Sequence, residues 1–128
     1  MHVTTGRVAF VDGAREVYVP SGANCRAGRR GAGTPVWDDA PPPLVEAGRR
    51  FDDRVGTARE LIEQCMQPRD SLMLWHLLAD HDSAVVALAL DELLKRGPAP
   101  DGVTREAVLK REAAALEAWK DRLMGEWR

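Results

Sequence analysis

A chain of 128 residues with 45% hydrophobic and 30% charged residues is the size of one ordinary domain and too apolar to remain unfolded. Its 18 basic and 20 acidic residues leave a formal charge of −2, against a nucleic-acid surface built on basic excess. No apolar run approaches the ~20 residues that cross a bilayer, and the start Met1-His2-Val3-Thr4-Thr5-Gly6-Arg7 lacks a secretory apolar core, so the expectation is a soluble, cytoplasmic chain with no direct membrane span.

In chain order, residues 3–19 read as a β-hairpin. The arms Arg7-Val8-Ala9-Phe10-Val11 and Glu16-Val17-Tyr18-Val19 are rich in β-branched and aromatic residues and flank Asp12-Gly13, a strong short-range turn signal. Pro20-Ser21-Gly22 stops the second arm. A lone hairpin is marginal in water, so these strands need a partner. Residues 26–43 carry Gly28, Gly31, Gly33, Pro35 and Pro41-Pro42-Pro43 with few apolar side chains, and read as a linker of mixed stiffness. Within it, Trp37 either covers the edge of the chain's own core or anchors a partner. The arginines at 26, 29, 30, 49 and 50 read as solvated charge.

From residue 44 the period becomes helical. Leu44, Ala47 and Phe51 mark a short helix; Thr57 and Glu60 form a capping box ahead of Leu61, Ile62, Cys65 and Met66, and Pro68 is read as the stop. Asp70 or Ser71 starts the next, with Leu72, Trp75, Leu78 and Ala79 at helical spacing. Asp82 or Ser83 opens a strong helix to Arg96, ended by Gly97-Pro98. Thr104 caps a further stretch with Val108 and Leu109 inward. The last, from Glu112 to about Met124, places Ala115, Leu116, Trp119 and Leu123 on one face. Short amphipathic helices on short connections predict an antiparallel bundle.

Candidate chemistry is sparse. His76 and His81 are five apart, not the four that align two ligands on a helix face, and Asp80-His81-Asp82 reads as an interhelical turn; neither is expected to bind metal. Cys65 on an apolar helical face reads as a buried thiol rather than a nucleophile, and Cys25 and Cys65 as two free thiols rather than a disulfide. Gly28, Gly31 and Gly33 match neither a dinucleotide fingerprint nor a P-loop. The acid pairs Asp38-Asp39, Asp52-Asp53 and Asp91-Glu92 read as solvated. No catalytic residue, cofactor or metal is expected. Trp127, beyond Gly125, either anchors a partner or folds back on the bundle.

Two stretches resemble the FecR-like periplasmic regulators. Gly6-Arg7-Val8-Ala9-Phe10-Val11 with Arg15-Glu16-Val17-Tyr18-Val19-Pro20-Ser21-Gly22 is similar to the end of that family's β-domain. Ser71-Leu72-Met73-Leu74-Trp75-His76-Leu77-Leu78 and Pro98-Ala99-Pro100-Asp101-Gly102-Val103-Thr104-Arg105-Glu106 resemble the helical extension found after it in uncharacterised bacterial members. The resemblance implies regulation or envelope-associated protein contact, and a periplasmic location if the chain is a fragment of such a regulator. It carries over no catalytic residue, and the chain departs from the family in having too few strands for the whole β-domain.

The sequence thus predicts an α+β chain: a β-hairpin segment at 1–26, a Gly/Pro-rich linker at 27–43 and a helical domain at 44–128 with a bundle of four to five short helices. Its expected role is a non-catalytic protein-interaction or regulatory module that docks on a protein partner, or on itself, through Val8, Phe10, Val17, Tyr18, Trp37 and Trp127. The alternative is a structural subunit of a larger assembly.

Overall fold

In the computed structural model, which describes residues 7–12, 15–20, 22–24, 27–28, 31–32, 34–80 and 82–127, antiparallel hairpins precede a helical half. The α+β class expected from the sequence is the observed one. β1 (Arg7–Asp12) pairs with β2 (Arg15–Pro20) in the register Val8↔Val19, Ala9↔Tyr18, Phe10↔Val17. The expected turn residue Gly13 lies outside the described residues. After Gly22, whose φ of 86° is cheap only for glycine, β3 (Ala23–Asn24) starts a second reversal.

That reversal occupies much of the segment expected as linker. β3 pairs with β6 (Val36–Trp37), and between them β4 (Ala27–Gly28) pairs with β5 (Gly31–Ala32). Two residues separate Asn24 from Ala27 and three separate Ala32 from Val36, so the return arm carries one residue more. Residues 27–43 therefore hold strands β4 to β6 and, from Pro42, the start of a helix. Glycine's low strand propensity hides them from a pattern reading. Among the described residues the two hairpins share no ladder.

The helical half comprises α1 (Pro42–Asp52), α2 (Ala58–Gln64), α3 (Ser71–Leu77), α4 (Ser83–Arg96), α5 (Arg105–Leu109) and α6 (Ala113–Leu123), with 3-10 turns at Pro68–Asp70 and Met124–Glu126. The N-terminal caps follow the sequence. Thr57 accepts from the Glu60 amide at 3.2 Å, Asp82 from Ala84 at 2.9 Å and Thr104 from Ala107 at 3.1 Å. Asp70 is used differently: its carboxylate accepts from the Gln67 amide at 3.0 Å within the preceding 3-10 turn, and Pro68 starts that turn rather than ending α2.

Among the described residues stand six helices, one for each helical stretch taken in chain order, against the four to five expected for the bundle, and two of them end alike. α1 closes with Arg54 N–H to Phe51 O and Val55 N–H to Arg50 O; α5 closes with Arg111 N–H to Val108 O and Glu112 N–H to Ala107 O. Both are Schellman closures, and the left-handed residue in each is an arginine, at φ 63° for Arg54 and 56° for Arg111, instead of the usual glycine. A chain reversal without glycine or proline leaves no compositional mark.

At the centre lies α3, every residue of which is buried. α4 and α6 pack on it, α2 packs on α1 and α4, and α5 bridges α4 and α6. Leu72, Leu74, Leu77 and Leu78 are wholly buried, each contributing about 1.5–3 kcal/mol relative to exposure. Ala23 and Trp37 join the same core from the second hairpin. Among the described residues, no helix is long and apolar enough to cross a membrane.

Candidate functional site

The six residues singled out from the sequence fall into two groups. Val8, Phe10, Val17 and Tyr18 belong to the β1–β2 ladder, of which the structure describes the backbone only. Register separates them. Val8 and Phe10 stand opposite Val19 and Val17 on alternate rungs and so share one face, while Tyr18, opposite Ala9, occupies the other.

Trp37 and Trp127 are both 3% exposed and belong to the chain's own core. The Trp37 indole donates to the Arg69 carbonyl at 2.9 Å, and the Arg69 guanidinium lies 5.3 Å from its ring centre while pairing with Asp39. That guanidinium holds the exposed Asp39 carboxyl below its ordinary value. The Trp127 indole donates to the Ser71 hydroxyl at 2.9 Å, which in turn donates to Glu126 at 3.1 Å, and its ring lies 5.9 Å from that of Trp75. Both indoles thus fasten segments of this chain to the N-terminal end of α3.

What the ladder offers is its edges. In an antiparallel pair, alternate rungs exchange hydrogen bonds across the pair and the intervening rungs turn their N–H and C=O outward. Asp12↔Arg15 brackets two residues and so closes the hairpin as a bonded rung. Counting back, Arg7↔Pro20 is an outward rung, the kind that tolerates a proline without an N–H. Arg7, Ala9 and Val11 thereby present the free edge of β1, and Glu16, Tyr18 and Pro20 that of β2. Among the described residues no third strand joins either edge, and β3 packs against β2.

Elsewhere, several polar side chains among the described residues make contacts within the fold. The Cys65 thiol is free, buried and directed at the Leu61 carbonyl at 3.3 Å; burial, then the nearby Asp70 charge, pushes its pKa up to about 12. His76 is buried in α3 and His81 and Cys25 lie outside the described residues. The acid pairs are occupied: Asp38 accepts from Asn24, Asp52 from the Thr34 amide and hydroxyl, Asp53 from Arg49 and Asp91 from Arg105, and Glu92 lies 3.8 Å from Arg96. No cluster of His, Cys, Asp and Glu among the described residues could hold a metal ion. A polar cleft of about 300 Å³ lies beside Arg96, Gly97, Trp119, Arg122 and Glu126, but Arg96 is committed to the Cys65 and Gln67 carbonyls.

No protein-family model, no curated protein and no solved structure matches the chain. What fold and site define together is a helical core preceded by a two-stranded ladder that no third strand joins among the described residues.

Proposed function

We propose that the chain is a non-catalytic protein-interaction module of the FecR-like, envelope-associated kind, which docks by adding a strand to its N-terminal ladder. The observation that carries this reading is the β1–β2 ladder, to which no third strand is joined on either edge among the described residues. Backbone groups left outward on a strand seek complementary N–H and C=O, and strand addition supplies them with little demand on side-chain identity. Burial of Cys65 as a protonated thiol supports the non-catalytic part.

Backbone amide hydrogen exchange on the dilute full-length chain tests it. Ala9, Val11 and Tyr18 amides should exchange much faster than the bonded Val8 and Phe10 amides. Slow exchange at Ala9, Val11 and Tyr18 would mean that both edges are covered within the chain, and the reading would be lost. The second reading, a structural subunit of a larger assembly, draws on the same edges, since Trp37 and Trp127 are already buried within the chain.

A further inference from the structure

The two edges differ in what guards them. Exposed edge strands in monomeric proteins carry an internal charge, a proline or a bulge that discourages pairing. β2 has Glu16 inside the strand and ends on Pro20, which removes one outward donor. β1 has neither: Val8-Ala9-Phe10-Val11 is uncharged throughout, its charges, Arg7 and Asp12, stand only at the ends, and its register with β2 is unbroken.

β1 is also self-complementary. Antiparallel pairing about a twofold axis requires some residue to stand opposite itself, and that rung must be one whose backbone points outward. Ala9 satisfies both conditions. With Ala9 opposite the partner's Ala9, Arg7 stands opposite the partner's Val11 and Val11 opposite the partner's Arg7. All of these are outward rungs, and each closes a pair of hydrogen bonds. Val8 then meets the partner's Phe10. Across the four strands one row reads Val19, Val8, the partner's Phe10 and the partner's Val17, apolar from end to end, and its twofold mate repeats it. A β-branched residue beside an aromatic is among the favourable cross-strand pairs.

We infer that the occupant of the β1 edge is the β1 strand of a second copy of this chain, joined antiparallel about Ala9 into a four-stranded sheet ordered β2-β1-β1-β2. This rests on the docking reading above and specifies its partner.

Light scattering on the full chain should show the mass rising from 14.1 kDa toward twice that value between micromolar and millimolar concentration. Ala9→Pro removes an outward N–H that β2 does not use and should shift the dimerisation constant at least tenfold while preserving the circular dichroism of the monomer. Glu16→Pro, on the other edge, should leave it unchanged. In a Cys25→Ser background, Ala9→Cys should form an intermolecular disulfide, since bonded antiparallel rungs hold Cα atoms about 5.5 Å apart, inside the disulfide range. Glu16→Cys should crosslink at least tenfold less.

A chain monomeric at every concentration whose Ala9 and Val11 amides exchange freely overturns self-pairing and leaves the docking reading standing. A monomer with those amides protected overturns both. A dimer indifferent to Ala9→Pro, or one that crosslinks equally through Glu16→Cys, overturns the assignment to β1.

Discussion

Replacing Trp75 and Trp119 by phenylalanine, one at a time, should have unequal consequences although both indoles are buried. The Trp75 N–H donates to the Leu116 carbonyl at 2.8 Å, whereas the buried Trp119 N–H meets no acceptor among the described residues. The first change leaves a carbonyl without its donor and the second removes a donor with no acceptor among the described residues, so Trp75→Phe should cost about 1–2 kcal/mol more in urea unfolding. Cys65 makes a further prediction. Its thiol is raised from 9.0 to about 12 on folding, so the unfolded chain releases this proton first. The stability tied to the protonated thiol is fully present below about pH 8 and is lost progressively as pH rises from about 9 toward 12. Cys65→Ala should be less stable at neutral pH yet show a shallower decline between pH 9 and 10.5 in denaturation midpoints. Periodicity made Cys65, Trp75 and Trp119 legible as inward residues. It could not make the hydrogen bonds of Cys65 and Trp75 legible, because Leu61 and Leu116 enter as backbone carbonyls, which every residue carries.

The starts of α2, α4 and α5 were readable, as was the end of α4 at Gly97-Pro98, but the closures of α1 and α5 carry no such mark, for one physical reason. A side-chain cap needs an oxygen, so Thr57, Asp82 and Thr104 announce themselves by residue type, while α1 and α6 start at Pro41 and Glu112 with no side-chain cap. A Schellman end needs only a left-handed φ, which arginine adopts at a cost of about 1–2 kcal/mol. Arg54→Gly and Arg111→Gly should therefore each stabilise the fold by about 0.5–1 kcal/mol net of the extra freedom glycine gives the unfolded chain, raising the thermal midpoint in calorimetry. A drop at either position would mean that the guanidinium contributes more than its backbone costs. Conversely, Thr104→Ala should cost about 1 kcal/mol, concentrated in the five-residue α5, whose amides should show the largest gain in exchange rate.

Taken whole, the molecule is divided differently from the way its composition suggests. The glycine- and proline-rich stretch suggested a spacer between a strand segment and a bundle, yet it delivers Trp37 into the same core as α3. The first hairpin packs through β2 against β3, and the residues from 22 on hold the core without it. Removing residues 1–19, just short of the buried Pro20, should leave the thermal midpoint of the remainder within a few degrees of the full chain. Removing residues 1–37 takes Trp37 away and should cost about 3–5 kcal/mol, as large aromatic deletions do. Equal losses from the two truncations would mean that the first hairpin is as tightly bound to the core as the second. The burial of all four tryptophans has an optical corollary. Indoles shielded from water emit toward the blue, and Trp75 and Trp127, 5.9 Å apart and tilted by 57°, are close enough for their transitions to couple and give a signed doublet in ultraviolet dichroism. The chain thus carries its own two-channel reporter: the doublet reads whether the segment around Trp127 lies against α3, and the emission of a variant retaining only Trp37 reads whether the second hairpin is docked, with no dye attached.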